Sequence, residues 1–309
     1  MRFRTLAVVP LVAAALFGTT AAAWPVSTAP LPQAPPALTA SALSARYAAD
    51  ANEIGRAERE AVGSGDSQLA GALGTLRTEH VLFFSSSGQG LAAMVIGNLA
   101  TATRVAILVP GSDTTLATFF SRGSSSPGGG ALALAAQARR LDPGAHLAII
   151  AWLGYPAPAM LSPSVLTSGN AGQGAEALRP LVTALAQHGD QVALLCHSYG
   201  SVVCGLAAPH LPVTDIAVFG SPGMDASSAA SLDTSARIWA GRESDDPIRF
   251  VPHVRLLGLG FGADPMSPGF GARIFATGSG GHSDYLSPGS VALRNLAYIA
   301  LGDPAAVTR

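Results

Sequence analysis

Three short, unbroken apolar runs frame this chain: RVAILV at residues 104–109, HLAIIAW at 146–152 and QVALLC at 191–196. Each is strand-length and bounded by polar or turn residues, the pattern of a β-strand covered on both faces. Residues 39–62 are alanine-rich, and Arg46, Glu53, Arg56 and Glu60 fall at spacings that leave them exposed. That predicts a helix capped by Thr39 or Ser41. Residues 80–84 and 91–96 predict a hairpin joined across Ser87-Gly88-Gln89-Gly90. Further helices are predicted at 131–141, 175–188 and 289–301, and further strands at 214–219, 236–240 and 273–276. Residues 153–174, holding Gly154, Tyr155, Pro156, Pro158 and Pro163, predict a long irregular segment suited to a lid or substrate wall. Strands alternating with helices imply an α/β fold, with a mostly parallel, doubly wound sheet and helices on both faces. The domain division expected is 39–78 as an N-terminal helical segment and 79–309 as one large domain, with no internal repeat.

The first 23 residues follow a different pattern. Arg2 and Arg4 precede an apolar core at residues 6–17, and Ala21 and Ala23 fit a cleavage site ahead of Trp24. This reads as an export signal at residues 1–23, too short for a comfortable membrane span, so no stable span is expected after cleavage. Residues 24–38, with Pro25, Pro30, Pro32, Pro35 and Pro36, predict an extended tether. The expected location is therefore secreted or in the cell envelope.

Composition narrows the chemistry. Among 309 residues only 12% are charged and the net charge is −1, which gives no electrostatic basis for binding nucleic acid. All 18 basic residues are arginine. Without lysine there can be no serine–lysine dyad, no Schiff base and no lysine-bearing P-loop. The two cysteines, Cys196 and Cys204, are open to two readings: a disulfide permitted by export, or two buried free thiols.

The apolar run at 191–196 leads into His197-Ser198-Tyr199-Gly200 and then into small and β-branched residues. A serine on a sharp strand-to-helix turn presents its hydroxyl at the sheet edge, with the N-terminus of the next helix facing any oxyanion formed there. The usual G-x-S-x-G pattern keeps Gly200 but has Cys196 in place of the first glycine. Such a serine needs a base, and the base an orienting acid. Of seven histidines, His282 stands in a glycine-rich loop late in the chain, suited to a base that swings between nucleophile and leaving group. For the acid, Asp245 and Asp246 follow the strand at 236–240, and Asp246 is favoured because Pro247-Ile248 turns the chain back toward the fold. The order Ser, Asp, His is that of α/β-hydrolases. The backbone N–H of Tyr199, with that of Gly111 or Ser112 in the glycine-bearing turn after residues 104–109, is expected to form the oxyanion hole. The histidines lack metal-ligand spacing, so no metal and no cofactor is expected.

Several separate motifs carry a resemblance: VPGSDTT from Val109, AWLGYPAP from Ala151, CHSYGSVVCGLAA from Cys196, FGSPGMD from Phe219 and GARIFATGSGGHSDYLSPGS from Gly271. The chain from about residue 78 onward resembles the actinobacterial α/β-hydrolases known as DUF1023. The resemblance implies an α/β-hydrolase fold with Ser198, Asp246 and His282 as a triad. The function expected is an exported serine hydrolase acting on a small-molecule or lipid-like ester. The alternative is a noncatalytic protein holding an apolar ligand on the same fold.

Overall fold

The apolar runs become the middle of an eight-stranded sheet. The computed structural model describes residue 35 and residues 37–254 and 258–309. The export signal at 1–23, and all of the proline-rich tether except residues 35, 37 and 38, lie outside the described residues.

In chain order the elements are α1 (Ala40–Ser64), α2 (Ser67–Leu76), β1 (His80–Ser85), β2 (Leu91–Ile96), β3 (Arg104–Val109), α3 (Pro127–Leu141), β4 (Leu147–Leu153) and α4 (Gly169–His188). They continue with β5 (Gln191–His197), α5 (Gly200–Ala207), β6 (Asp215–Phe219), β7 (Arg237–Gly241), β8 (Arg273–Ile274) and α6 (Val291–Leu301). The strands lie in the order β1-β2-β4-β3-β5-β6-β7-β8. The β1–β2 hairpin pairs antiparallel, as does β2 with β4, and all remaining neighbours are parallel. Alternation along each strand divides the core: Val105, Ile107 and Val109 face one apolar layer with α4 and α5, while Ala106 and Leu108 face the other with α3 and α6. Thr39 caps α1, its hydroxyl accepting from the Ala42 N–H. No helix among the described residues is long and apolar enough to cross a membrane.

Several boundaries differ from expectation, among them the start of α3 at Pro127 rather than at residue 131. Helix α1 runs to Ser64, two residues past the expected end, where Gly65 with φ of 77° stops it, and Asp66 then caps a second helix, α2, within the expected helical segment. Helix α4 begins at Gly169, so the irregular segment shortens to residues 154–168. Its glycine-rich first turns have poor intrinsic propensity, but packing overrides it: a Cβ on Gly174 would lie 2.9 Å from Val203, and Asn170 donates to the Pro156 carbonyl at 2.6 Å. Strand β8 pairs over two residues only, because the chain leaves the sheet at Phe275 toward the loop that carries His282.

Register sets up the site. Val109 pairs with Cys196, His197 with Phe219, and Phe219 with Gly241. Segments leaving β3, β5, β6 and β7 therefore emerge side by side at the carboxyl edge of the parallel strands, where open α/β sheets hold ligands.

Candidate active site

Ser198 sits between β5 and α5 with φ of 52°, a left-handed conformation that costs a non-glycine residue about 1–3 kcal/mol. Its N–H donates to the Phe219 carbonyl at 3.0 Å, pinning the turn to β6. Glycines let neighbouring backbone close around it. A Cβ on Gly200 would meet the Val109 carbonyl oxygen at 2.5 Å, and one on Gly111 would meet Ser198 Cβ at 2.7 Å. Position 196 needs no such clearance, since its side chain turns toward α5 and is bridged to Cys204 across a Cα–Cα distance of 6.5 Å. Of the two readings of the cysteines, the structure has the bridged one. Gly111→Ala is expected to force the turn after β3 and the serine turn apart, at a cost of about 1–3 kcal/mol for overpacking, read as a lower melting temperature.

His282 reaches back across the sheet edge. Its Nε2 lies 2.9 Å from Ser198 Oγ, and its Nδ1 lies 3.0 Å from both carboxylate oxygens of Asp246. Asp246 is fully buried and faces the His282 ring, whereas Asp245 is exposed. The Asp246 carboxylate also accepts from the Ile248 N–H at 2.8 Å and the Tyr285 hydroxyl at 2.5 Å. Burial pushes its pKa up, but the hydrogen bonds from His282, Tyr285 and Ile248 outweigh that and hold it below the usual carboxylate range. A buried acid kept ionised in this way fixes the imidazole with Nδ1 protonated and Nε2 free to accept the serine proton.

Three contributors escape sequence reasoning. Burial, reinforced by the neighbouring His282, pushes the His197 pKa down to about 4. It is therefore a neutral imidazole at pH 7, and its Nε2–H donates to the His282 carbonyl at 2.8 Å, tethering the loop that bears His282. Tyr285 donates to Asp246 and accepts from the Glu243 N–H at 3.1 Å. Glu243 is itself 2% exposed, and its Oε2 has no hydrogen-bond partner among the described residues. Of the three, only His197 gave a sequence signal, its adjacency to the serine.

Burial, then the carboxylates of Asp284, Asp246 and Asp245, push the Glu243 pKa up to about 7. The native state thus holds this proton more tightly than the unfolded chain. The sign follows: native stability falls as pH rises from the ordinary carboxylate range to about 7, then levels. Glu243→Gln is expected to melt higher than wild type at pH 8, with the gap closing toward pH 4.5, as measured by thermal unfolding at both.

The turn that follows β3 is held from behind. The Tyr155 hydroxyl donates to the Pro110 carbonyl at 2.7 Å, the Asp113 N–H donates to the Pro158 carbonyl at 3.0 Å, and the Met160 N–H donates to Asp113 at 2.9 Å. The Tyr199 hydroxyl donates to the Thr167 carbonyl at 2.7 Å, so the 154–168 segment is tied to both candidate oxyanion elements. Ser198 and His282 open into a cleft of about 210 Å³, whose walls include Ser112, Thr118, Arg122 and Met160. A narrower apolar cavity of about 30 Å³, lined by Leu108, Phe219 and Leu286, shares His197 and Pro110 with it.

Comparison with known proteins follows the same lines. Residues 86–256 match the family Abhydrolase_8, described as alpha/beta hydrolase. An uncharacterized protein of Mycobacterium tuberculosis, Rv2079 in strain H37Rv and MT2140 in strain CDC 1551, is 36% identical over 256 residues, covering 70% of this chain. The match takes up only 37% of those relatives' length. Among solved structures, esterase PE8 aligns with a TM-score of 0.45 at 15% identity, over 68% of this chain and 97% of that one. Dienelactone hydrolase from Anabaena variabilis aligns at 0.46 and 16% identity, over 75% and 99%. The family match spans more than half of the chain and coincides with the sheet that carries Ser198, so this protein belongs to the α/β-hydrolase family formerly known as DUF1023.

Proposed function

We propose that this hydrolase cleaves esters through an acyl-enzyme on Ser198. The observation that carries the reading is the unbroken relay from Ser198 Oγ to His282 Nε2 at 2.9 Å and from His282 Nδ1 to Asp246 at 3.0 Å. In the first half-reaction Ser198 Oγ bonds to the ester carbonyl carbon as its proton passes to His282 Nε2. The tetrahedral intermediate then collapses, the C–O bond to the alcohol breaks, and His282 returns the proton to the leaving oxygen. In the second half a water repeats the sequence, releasing the acid and restoring Ser198. Asp246 stays ionised throughout and stabilises the imidazolium. The N–H groups of Tyr199 and of Gly111 or Ser112 receive the oxyanion, an arrangement in which one donor is worth about 100-fold to 1,000-fold in turnover.

The substrate class is a small-molecule or lipid-like ester. A secreted or cell-envelope setting is supported by the buried Cys196–Cys204 bridge and by the basic and apolar N-terminal stretch. The reading is tested with a fluorophosphonate probe and p-nitrophenyl esters of graded chain length. Labelling and turnover by wild type, both lost in Ser198→Ala, is the expected result. Absence of both from wild type defeats it and leaves a noncatalytic ligand-binding protein.

A further inference from the structure

Two spaces adjoin beside Ser198, and their walls differ in chemistry. Ser112, Asp113, Thr114, Thr118 and Arg122 give the cleft of about 210 Å³ a polar wall. The cavity of about 30 Å³ is walled instead by Leu108, Phe219 and Leu286, all buried. Pro110, Ser125, Ser126, Pro127, His197 and Ser283 line both, so the two spaces meet around the end of the strand that carries Ser198. The polar groups of this shared wall are largely engaged elsewhere. The Ser125 and Ser126 hydroxyls donate to the Arg122 and Gly123 carbonyls at 2.7 and 2.6 Å, and the His197 Nε2–H donates to the His282 carbonyl at 2.8 Å. Tyr285, which also lines the cavity, commits its hydroxyl to Asp246. The two leucines meet against α3, where a Cβ on Gly130 would lie 2.6 Å from Leu286 Cδ1 and 3.4 Å from Leu108 Cδ2, so that helix stands directly behind them.

We propose that this cavity is the acyl subsite, and that it selects esters of short-chain carboxylic acids, up to about four carbons, over long-chain ones. The assignment rests on the ester hydrolysis proposed above and adds the identity of the acid. Size is the first consideration. A space of roughly 10–15 Å³ admits one water-sized group, and a methylene is close to that size, so this cavity takes about two or three. With the carbonyl carbon outside it at Ser198, the chain is propionyl or butyryl. Polarity is the second. A water held here would need about two to four polar partners, which these walls largely spend on one another, whereas an aliphatic chain gains by leaving solvent. The third is the order of departure. The alcohol leaves first, while the acyl group stays bonded to Ser198 Oγ until water releases it. The wide polar cleft therefore suits the alcohol, and the narrow apolar cavity suits the group that is held longer.

The experiment measures kcat/KM of the full-length protein on p-nitrophenyl acetate, butyrate and octanoate. Alongside it run Leu286→Ala, which enlarges the cavity, and Ser124→Leu, which fills it. Ser124 lines the cavity and is only half-buried, so the second variant stays informative if loss of a buried leucine prevents folding. A methylene accepted or refused by an apolar pocket is worth about 10-fold to 200-fold. Wild type is expected to favour butyrate over octanoate by about 10-fold or more. Leu286→Ala is expected to raise the octanoate-to-butyrate ratio about 10-fold, and Ser124→Leu to lower the butyrate-to-acetate ratio by a similar factor. A wild type that favours octanoate, or ratios that neither variant shifts, overturns the proposal and leaves the esterase reading in place. Acetate esters of alcohols from ethyl to hexyl form the parallel series. If the variants shift that series and not the acyl one, the cavity holds the alcohol and the proposal falls. Absence of turnover on every ester, with no fluorophosphonate labelling, removes the esterase reading and the acyl subsite with it.

Discussion

Ser198→Ala is expected to lower kcat on p-nitrophenyl butyrate by about a million-fold, the loss seen when a nucleophile acting as one unit with its base is removed. Oγ is the only atom deleted, and it is the atom 2.9 Å from His282 Nε2. Alanine keeps the Cβ, so the left-handed turn at φ of 52° is no more and no less strained than before. The Ser198 N–H still donates to Phe219. The melting temperature should therefore stay close to that of wild type while fluorophosphonate labelling disappears. A variant that melts normally and retains most of its turnover would remove Ser198 from the chemistry, whatever its position.

Asp246→Asn is expected to cost about 10,000-fold in kcat, comparable to the same change in serine proteases. The reason is local. Both carboxylate oxygens of Asp246 accept hydrogen bonds, from the Ile248 N–H, the Tyr285 hydroxyl and His282 Nδ1. An asparagine offers one oxygen and one amide N–H₂, so one of these donors must face another donor. If the amide turns toward the ring, His282 is driven to the tautomer that carries its proton on Nε2, where it cannot accept from Ser198. If it turns toward Tyr285 or Ile248, a buried donor is left unpaired, at about 1–3 kcal/mol of stability. Steady-state kinetics well below the melting temperature separate the two losses. Wild-type turnover in a folded Asp246→Asn protein would contradict the role assigned to the acid.

Much of this arrangement is legible in the sequence because its signals are local. The central strands are unbroken apolar runs, the β1–β2 turn is spelled by Ser-Gly-Gln-Gly, and Ser198 announces itself between an apolar strand and a small-residue helix. The order of Ser198, Asp246 and His282 narrows the candidates, and the structure joins them in one hydrogen-bonded chain. What escapes is what depends on distant partners. Tyr285 reads as one more loop aromatic, yet its hydroxyl contacts Asp246 from 39 residues away, and Tyr155 supports Pro110 across 45. The start of α4 is hidden for the same reason. GNAGQG looks like loop by propensity, and only the proximity of Val203 and Pro156 explains why it winds. A separation of eight positions between two cysteines is compatible with a bridge or with none, and the choice depends on how β5 and α5 meet.

That bridge has a consequence for how the protein behaves toward reagents. Both cysteines are completely buried beneath the turn that carries Ser198. A reductant or alkylating agent can reach them only after α5 lifts from the sheet. Resistance to such agents would therefore gauge how seldom that helix detaches, rather than whether a thiol takes part in the reaction.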